Sequence, residues 1–230
     1  MPAFLHYPHY VLSDEHKKNL GFTLKFYFLI ISLLTIFIEK YTNRKLYTVL
    51  INIVHRKKVK LNYVEEDYTA TQNDLTFYYP NKRATRMLNG IEELSEKIFN
   101  HYCLDKITFE KNDLIIDCGV NTGELYLHLE KKVPNLKYIA FEPDAKVYEC
   151  LKKNIQKKGA LLRSEALSNS SEEKKFYKLT ENADSSLESA NNVKPILVKA
   201  IQLDDFGYTS VKLLKIDAEG HELEVLSGAK

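Results

Sequence analysis

The sequence predicts an α/β fold, a parallel sheet covered by helices with a ligand crevice where its strands end. Three observations predict it. Residues 114–118 are apolar except for Asp117, and two glycines, Gly119 and Gly123, follow before a helical pattern begins. Residues 138–141 are a second apolar run, ending on Glu142. Residues 211–216 read as a third strand, whose unusually polar exit carries Asp217, Glu219, His221 and Glu222. Short apolar runs alternating with helical spacing mark strand–helix–strand units, and such units bind ligands at the strands' carboxyl ends.

The first run narrows the cofactor. A dinucleotide fingerprint spaces its glycines as G-x-G-x-x-G and sets a pyrophosphate on the helix N-terminus. Here the spacing is Gly119-x-x-x-Gly123 and a carboxylate precedes it. An acid there repels pyrophosphate and suits an ammonium group. S-adenosylmethionine has an amino-acid tail, a sulfonium and no phosphate, so the pattern favours a methyl donor over a nicotinamide. A plain tight turn between strand and helix is the alternative.

A crossover helix over residues 125–133 is expected to stop before Pro134. Glu142, nineteen residues beyond Gly123, ends the next strand and is placed to accept hydrogen bonds from ribose hydroxyls. Asp144 is the better cap for the following helix, over residues 145–158, where Val147, Cys150, Leu151 and Ile155 keep helical spacing and Gly159 gives the stop. At the third exit, Asp217 and Glu219 could simply cap the helix that begins at Glu222. Their grouping with His221 at a strand's carboxyl end favours function.

On these residues the chain resembles the FkbM-type methyltransferases, which are class I enzymes dependent on S-adenosylmethionine. The resemblance rests on residues 116–123, Phe141-Glu142-Pro143, Glu165-Ala166-Leu167-Ser168, Lys215 to Glu222 and residues 226–229, and extends over roughly residues 75–230. It implies a Rossmann-like sheet with Asp117, Gly119, Asn121 and Gly123 around the methionine part of the cofactor and Glu142 at its ribose. Ala166 and Leu167, ending the third strand, would lie along the adenine. Asp217, Glu219 and His221 would face the transferred methyl group and the acceptor, Asp217 also bordering the cofactor. The implied reaction is O-methylation of a hydroxyl on a saccharide, glycolipid or secondary metabolite. His221 or Asp217 would be the base, and the near-neutral pKa of an ordinary histidine favours His221. No metal is expected, since adjacent positions rarely all point inward. A nicotinamide oxidoreductase and a non-catalytic membrane-tethered scaffold are the competing readings.

The chain has 230 residues and a net charge of +2, unevenly placed. Residues 1–60 hold ten Lys/Arg against three Asp/Glu, and the remainder twenty-three against twenty-eight. No basic stripe with interleaved aromatics enters the α/β region, so nucleic acid is not an expected partner. Three cysteines at unrelated spacings give neither a disulfide framework nor a zinc pattern.

The sequence divides into a basic extension over 1–58, linking strands and a helix over 59–104, and the α/β domain over 105–230. In the extension, residues 26–38 are apolar save for Ser32 and Thr35, and counting from Leu20 gives nineteen residues. Membrane association and a packed soluble helix both fit, and the first is favoured. Lys17 and Lys18 precede the segment, and Lys40, Arg44, Lys45 and the cluster Arg56-Lys57-Lys58 follow it, which would hold the catalytic part in the cytoplasm. A second apolar helix is expected over 46–54, a hairpin arm over 75–80, an amphipathic helix over 91–102, strands over 175–179 and 196–203, and a mobile polar loop over 181–194. Arg83 and Arg86 are candidates for an acidic acceptor. The seven-stranded sheet of the resembling family would have its fourth strand end at Asp217, thirteen residues before Lys230. A truncated sheet, with that strand at an edge and no activity by itself, is therefore expected.

Overall fold

The computed structural model describes residues 21–177 and 195–230. Lys17, Lys18, Leu20 and the loop 181–194 lie outside them. The described residues form two compact units, divided between Leu94 and Ser95. The segment 59–94, read from the sequence as part of a linker, belongs to the first.

The first unit opens with helix α1 (Phe22–Tyr41), longer than the apolar run at both ends, and helix α2 (Arg44–His55). Asn43 starts α2 by accepting from Leu46 N at 2.9 Å. Three antiparallel strands follow in order, β1 (Lys60–Val64), β2 (Asp67–Gln72) and β3 (Leu75–Tyr79). Their two-residue turns need positive φ, supplied by Glu65 and Glu66 in the first and Asn73 in the second. The Asn52 side chain splices α2 to β1, donating to Leu61 O at 2.7 Å and accepting from Leu61 N at 2.9 Å. Tyr47, Ile51, Leu61, Phe77, Tyr79 and Met87 are buried here. Arg83 and Arg86 lie on a 3-10 helix, Lys82–Asn89, in this unit. Helix α3 (Ile91–His101) contains the boundary between the units.

The second unit is the α/β domain. Strands β4 (Leu114–Cys118) and β5 (Lys137–Phe141) are joined by the short helix α4 (Tyr126–Lys132), and helix α5 (Ala145–Ile155) leads to β6 (Leu161–Arg163). Asp144 caps α5 as its position suggests, accepting from Lys146 N at 2.9 Å and Val147 N at 3.3 Å. Beyond β7 (Ala166–Leu167), β8 (Glu173–Tyr177) and β9 (Pro195–Ile201), strand β10 (Leu213–Ile216) precedes helix α6 (Glu222–Ser227). The parallel sheet runs β10-β4-β5-β6, so β10 is an edge strand among the described residues. Ile115, Leu129, Tyr138, Ala140 and Leu151 cluster in one core. Ile116, Ile139, Phe141, Leu167 and Val225 cluster in a second.

One sequence expectation needs correcting. Ala166 and Leu167 do not end the third strand of the parallel sheet. That strand stops at Arg163, and the pair Ala166–Leu167 turns away to sit opposite Ala200 and Ile201 of β9. The separate sheet β7-β9-β8 is a long-range pairing, which local periodicity does not encode.

Candidate active site

Register builds the site. Ile216 lies opposite Cys118, Cys118 opposite Phe141, and Phe141 opposite Arg163. The next residue on each of the first three strands, Asp217, Gly119 and Glu142, therefore emerges along one carboxyl edge. This is where open parallel sheets bind ligands.

The glycine turn is locked against both neighbouring strands. Gly119 has φ +72°, and a Cβ there would sit 2.0 Å from Asp217 O, so no side chain fits. Gly119 N and Val120 N donate to Phe141 O at 3.0 and 3.3 Å. Asn121 takes a positive φ of 55° and directs its N–H to Glu142 Oε2 at 3.0 Å. A Cβ on Gly123 would lie 3.0 Å from Leu151 Cδ1, so this glycine brings the turn down onto α5. Asn154 of α5 holds the turn from below, donating to Thr122 O at 2.8 Å.

Glu142 is buried, and each carboxylate oxygen accepts one backbone N–H, Oε2 from Asn121 and Oε1 from Asp144 at 2.9 Å. Burial pushes its pKa up to about 7, with the Asp144 and Asn121 amides and Lys215 opposing. An ionised carboxylate has about four acceptor sites. Two remain after these bonds, which suits a pair of ribose hydroxyls.

Asp117 is not open in the way its position before Gly119 suggests. It lies directly opposite Lys215 on β10 and Ala140 on β5, so all three share a face. The Lys215 ammonium reaches Asp117 Oδ1 at 2.9 Å, Gly119 O at 2.7 Å and Cys118 O at 3.3 Å. The Tyr138 hydroxyl donates to Asp117 Oδ2. The expected ligand ammonium is thus matched by an internal one. Burial works against the charge on Lys215, but Asp117, Tyr102 and Asp217 outweigh it and raise its pKa. Burial also lifts the Cys118 thiol to about 12.

Asp217 is half-exposed at the mouth of this network. Its Oδ2 accepts from the Tyr102 hydroxyl at 2.8 Å and lies 3.9 Å from Lys215 Nζ. The Tyr102 ring faces the same ammonium at 5.5 Å, and burial raises the phenol's pKa to about 12.

His221 faces inward. It is 6% exposed, and its Nε2 lies 2.9 Å from Ser168 Oγ just beyond β7. Its Nδ1 lies 3.5 Å from Glu224 Oε2. Glu219 is exposed with φ +49°. Glu222, which follows them, closes the loop by accepting from Ala218 N and Gly220 N, both at 3.2 Å, and its own backbone amide together with these two lowers its pKa.

The structure therefore brings Asp117, Gly119, Asn121, Gly123, Glu142 and Asp217 to one edge. It keeps His221 on the Ser168 side and places Ala166 and Leu167 in a different sheet. Lys215, Tyr138 and Tyr102 are the site residues that spacing missed. The signal for the first was a lysine set between Leu214 and Ile216, two residues before Asp217.

Residues 117–230 match the family of the methyltransferase FkbM domain. The chain is 29% identical over 172 residues to methyltransferase sdnD of Sordaria araneosa, covering 58% of this chain and 66% of that protein. It is 26% identical over 170 residues to methyltransferase 1 of Beauveria bassiana (strain ARSEF 2860), covering 60% and 67%. The chain thus spans about two thirds of the length of these relatives. P. horikoshii TYW2, solved in complex with MeSAdo, overlaps 57% of this chain and 52% of its own at 15% identity and a TM-score of 0.34, too slight a likeness to bear on function.

Proposed function

We propose, from the premise that residues 117–230 belong to the FkbM methyltransferase family, that the chain uses S-adenosylmethionine to methylate a hydroxyl of a saccharide, glycolipid or secondary metabolite. The observation that carries this reading is Glu142. A buried carboxylate, fixed by two backbone amides and with acceptor sites to spare, stands at the second strand's end beside Gly119, where no side chain fits. That arrangement fits a nucleoside whose two ribose hydroxyls both donate.

When bound, the cofactor supplies an electrophilic methyl group on a sulfonium. The chain's own part is orientation and proton handling. Gly119, Asn121 and Gly123 shape the turn against which the methionine tail would lie, and Lys215 holds Asp117 in place beneath it. Much of the acceleration of an in-line displacement comes from such alignment. A hydroxyl attacks well only as its proton leaves. Asp217, half-exposed and oriented by Tyr102, is better placed to take that proton than the inward-facing His221. Glu219, exposed two residues beyond Asp217, would orient a sugar hydroxyl.

A nicotinamide in this crevice is the weaker reading, because the turn lacks the third glycine of a dinucleotide fingerprint. Calorimetric titration of the full chain with S-adenosylmethionine and with NAD decides between them. Micromolar binding of the first alone is expected. Unchanged affinity in both Asp117→Ala and Glu142→Ala would sink the site assignment.

A further inference from the structure

We infer that α1 and α2 of the first unit form a docking element for an anionic lipid bilayer. The inference is independent of the proposed reaction, and the placement of polar groups on α1 carries it. Ser32, Thr35 and Ile38, spaced three apart, are the buried residues of this helix. Thr35 Oγ1 donates to Ile31 O at 2.8 Å and sits 3.0 Å from His55 Nε2 of α2. Phe26, Ile30, Leu33, Leu34 and Phe37 are all exposed, Phe37 by 60%. The polar residues of the run thus face protein while the large apolar ones face out. A helix in a soluble core shows the reverse, and outward apolar with inward polar is the arrangement suited to lipid.

Two further observations set how the element sits. The first half of α1, from Phe22 to Ile31, contains no buried residue, whereas the second half is tied to the unit through Thr35, Ile38 and a hydrogen bond from Lys82 Nζ to Glu39 O. The uncovered half is about 15 Å long at 1.5 Å per residue, roughly one leaflet of the hydrocarbon core. On α2, Leu46, Val49 and Ile53 are also exposed at helical spacing, opposite the buried Tyr47, Thr48 and Ile51. An amphipathic helix with a second apolar stripe fits the boundary between headgroups and acyl chains.

Charge selects the partner. Residues 21–60 contain eight Lys/Arg, among them Lys40, Arg44, Lys45 and the cluster Arg56-Lys57-Lys58, and one acid, Glu39. Pairing this face with a second copy would bring like charges together. An anionic lipid surface is attracted by each of them.

The test is flotation of the full-length chain, diluted from detergent, with vesicles of phosphatidylcholine alone and of phosphatidylcholine with phosphatidylserine. The wild type is expected to float with both, more strongly with the anionic vesicles. Phe26→Asp combined with Ile30→Asp, at positions that touch no core, should abolish flotation while circular dichroism stays unchanged. Lys40→Gln with Lys45→Gln should weaken binding to the anionic vesicles about fivefold per lysine and leave the neutral ones unaffected. Flotation by the double-aspartate variant, or a wild type that stays in solution, would overturn the inference. So would a discrete lipid-free dimer that the same aspartates dissociate, because a second copy would then cover the face.

Discussion

The Lys215 ammonium lies 2.9 Å from Asp117 Oδ1, directly opposite it on the neighbouring parallel strand, and both side chains are almost wholly buried. The same ammonium bonds the carbonyls of Cys118 and Gly119, so the pair fastens the edge strand β10 to the glycine turn after β4. Asp117 therefore acts on a ligand through the turn it helps hold, and Lys215 is a positioning residue.

Removing one member of this pair strands the other. Lys215→Met is expected to destabilise the α/β unit by about 3–5 kcal/mol, the usual cost of leaving a buried charge uncompensated. Adding Asp117→Leu should cost less than the sum of the single changes. A double-mutant cycle on denaturant midpoints measures the difference, and strict additivity would contradict the coupling.

Glu142 gives a pH signature with two opposite signs. Its pKa is raised from 4.5 to about 7 by burial, so the folded state binds the proton more tightly than the unfolded chain does. Its contribution to stability is full below about 4.5 and is lost as pH rises through 7, a change on the order of a few kcal/mol. Binding of S-adenosylmethionine should run the other way, weakening as pH falls below 7 and the carboxylate loses acceptor sites. Thermal melts and calorimetry between pH 5 and 8 check both signs, and Glu142→Gln should flatten both curves.

Gly119→Ala places a methyl group 2.0 Å from Asp217 O at a backbone conformation that disfavours L side chains. A loss of roughly 2–4 kcal/mol is expected from overpacking and strain together. Gly159→Ala, also at positive φ but with open space around its Cβ, should cost less. Equal melting temperatures for the two variants would refute the close approach.

Proton removal separates Asp217 from His221. Asp217→Asn should lower turnover by 10²–10⁴ on a hydroxylated acceptor found by screening, with little change in donor affinity. His221→Gln, which can keep a hydrogen bond to Ser168, should lower it only several-fold. Release of labelled methyl product is the readout, and the reverse ranking would restore His221 as the base.

Thiol labelling distinguishes the cysteines. Cys103 is exposed, while Cys118 is buried with its pKa pushed up to about 12. In the native chain an alkylating reagent should modify Cys103 within minutes and spare Cys118 until the unit unfolds. Mass spectrometry of the native and denatured protein reads this directly.

Strand–helix alternation was legible because hydrophobic period and punctuation agree there. Asp144 reads as a cap and is one, and Pro134 closes off α4 as its ring requires. Helix α2, the hairpin arm and helix α3 also lie close to their expected bounds, whereas α1, with no side-chain cap at Gly21, runs past its apolar stretch at both ends. Long-range register was not legible. That Asp117 meets Lys215 follows from β10 lying beside β4, ninety-eight residues apart in sequence. The turning away of Ala166 and Leu167 depends on β9, and the burial of His221 depends on Ser168. Local patterns carry no information about such partners.

The junction between α6 and the strand β7 constrains how this chain can change. A Cβ at Gly228 would stand 2.1 Å from the Ser168 carbonyl oxygen, while Gly228 O accepts from Asp204 N at 3.0 Å. His221 and Gly228, at opposite ends of one short helix, thus both bear on Ser168. Any side chain at 228 would push the helix away from the Ser168 carbonyl, and with it His221 from the Ser168 hydroxyl. Position 228 can therefore gain bulk only after the main chain at 168 has shifted. A mutational path that begins at 228 is closed.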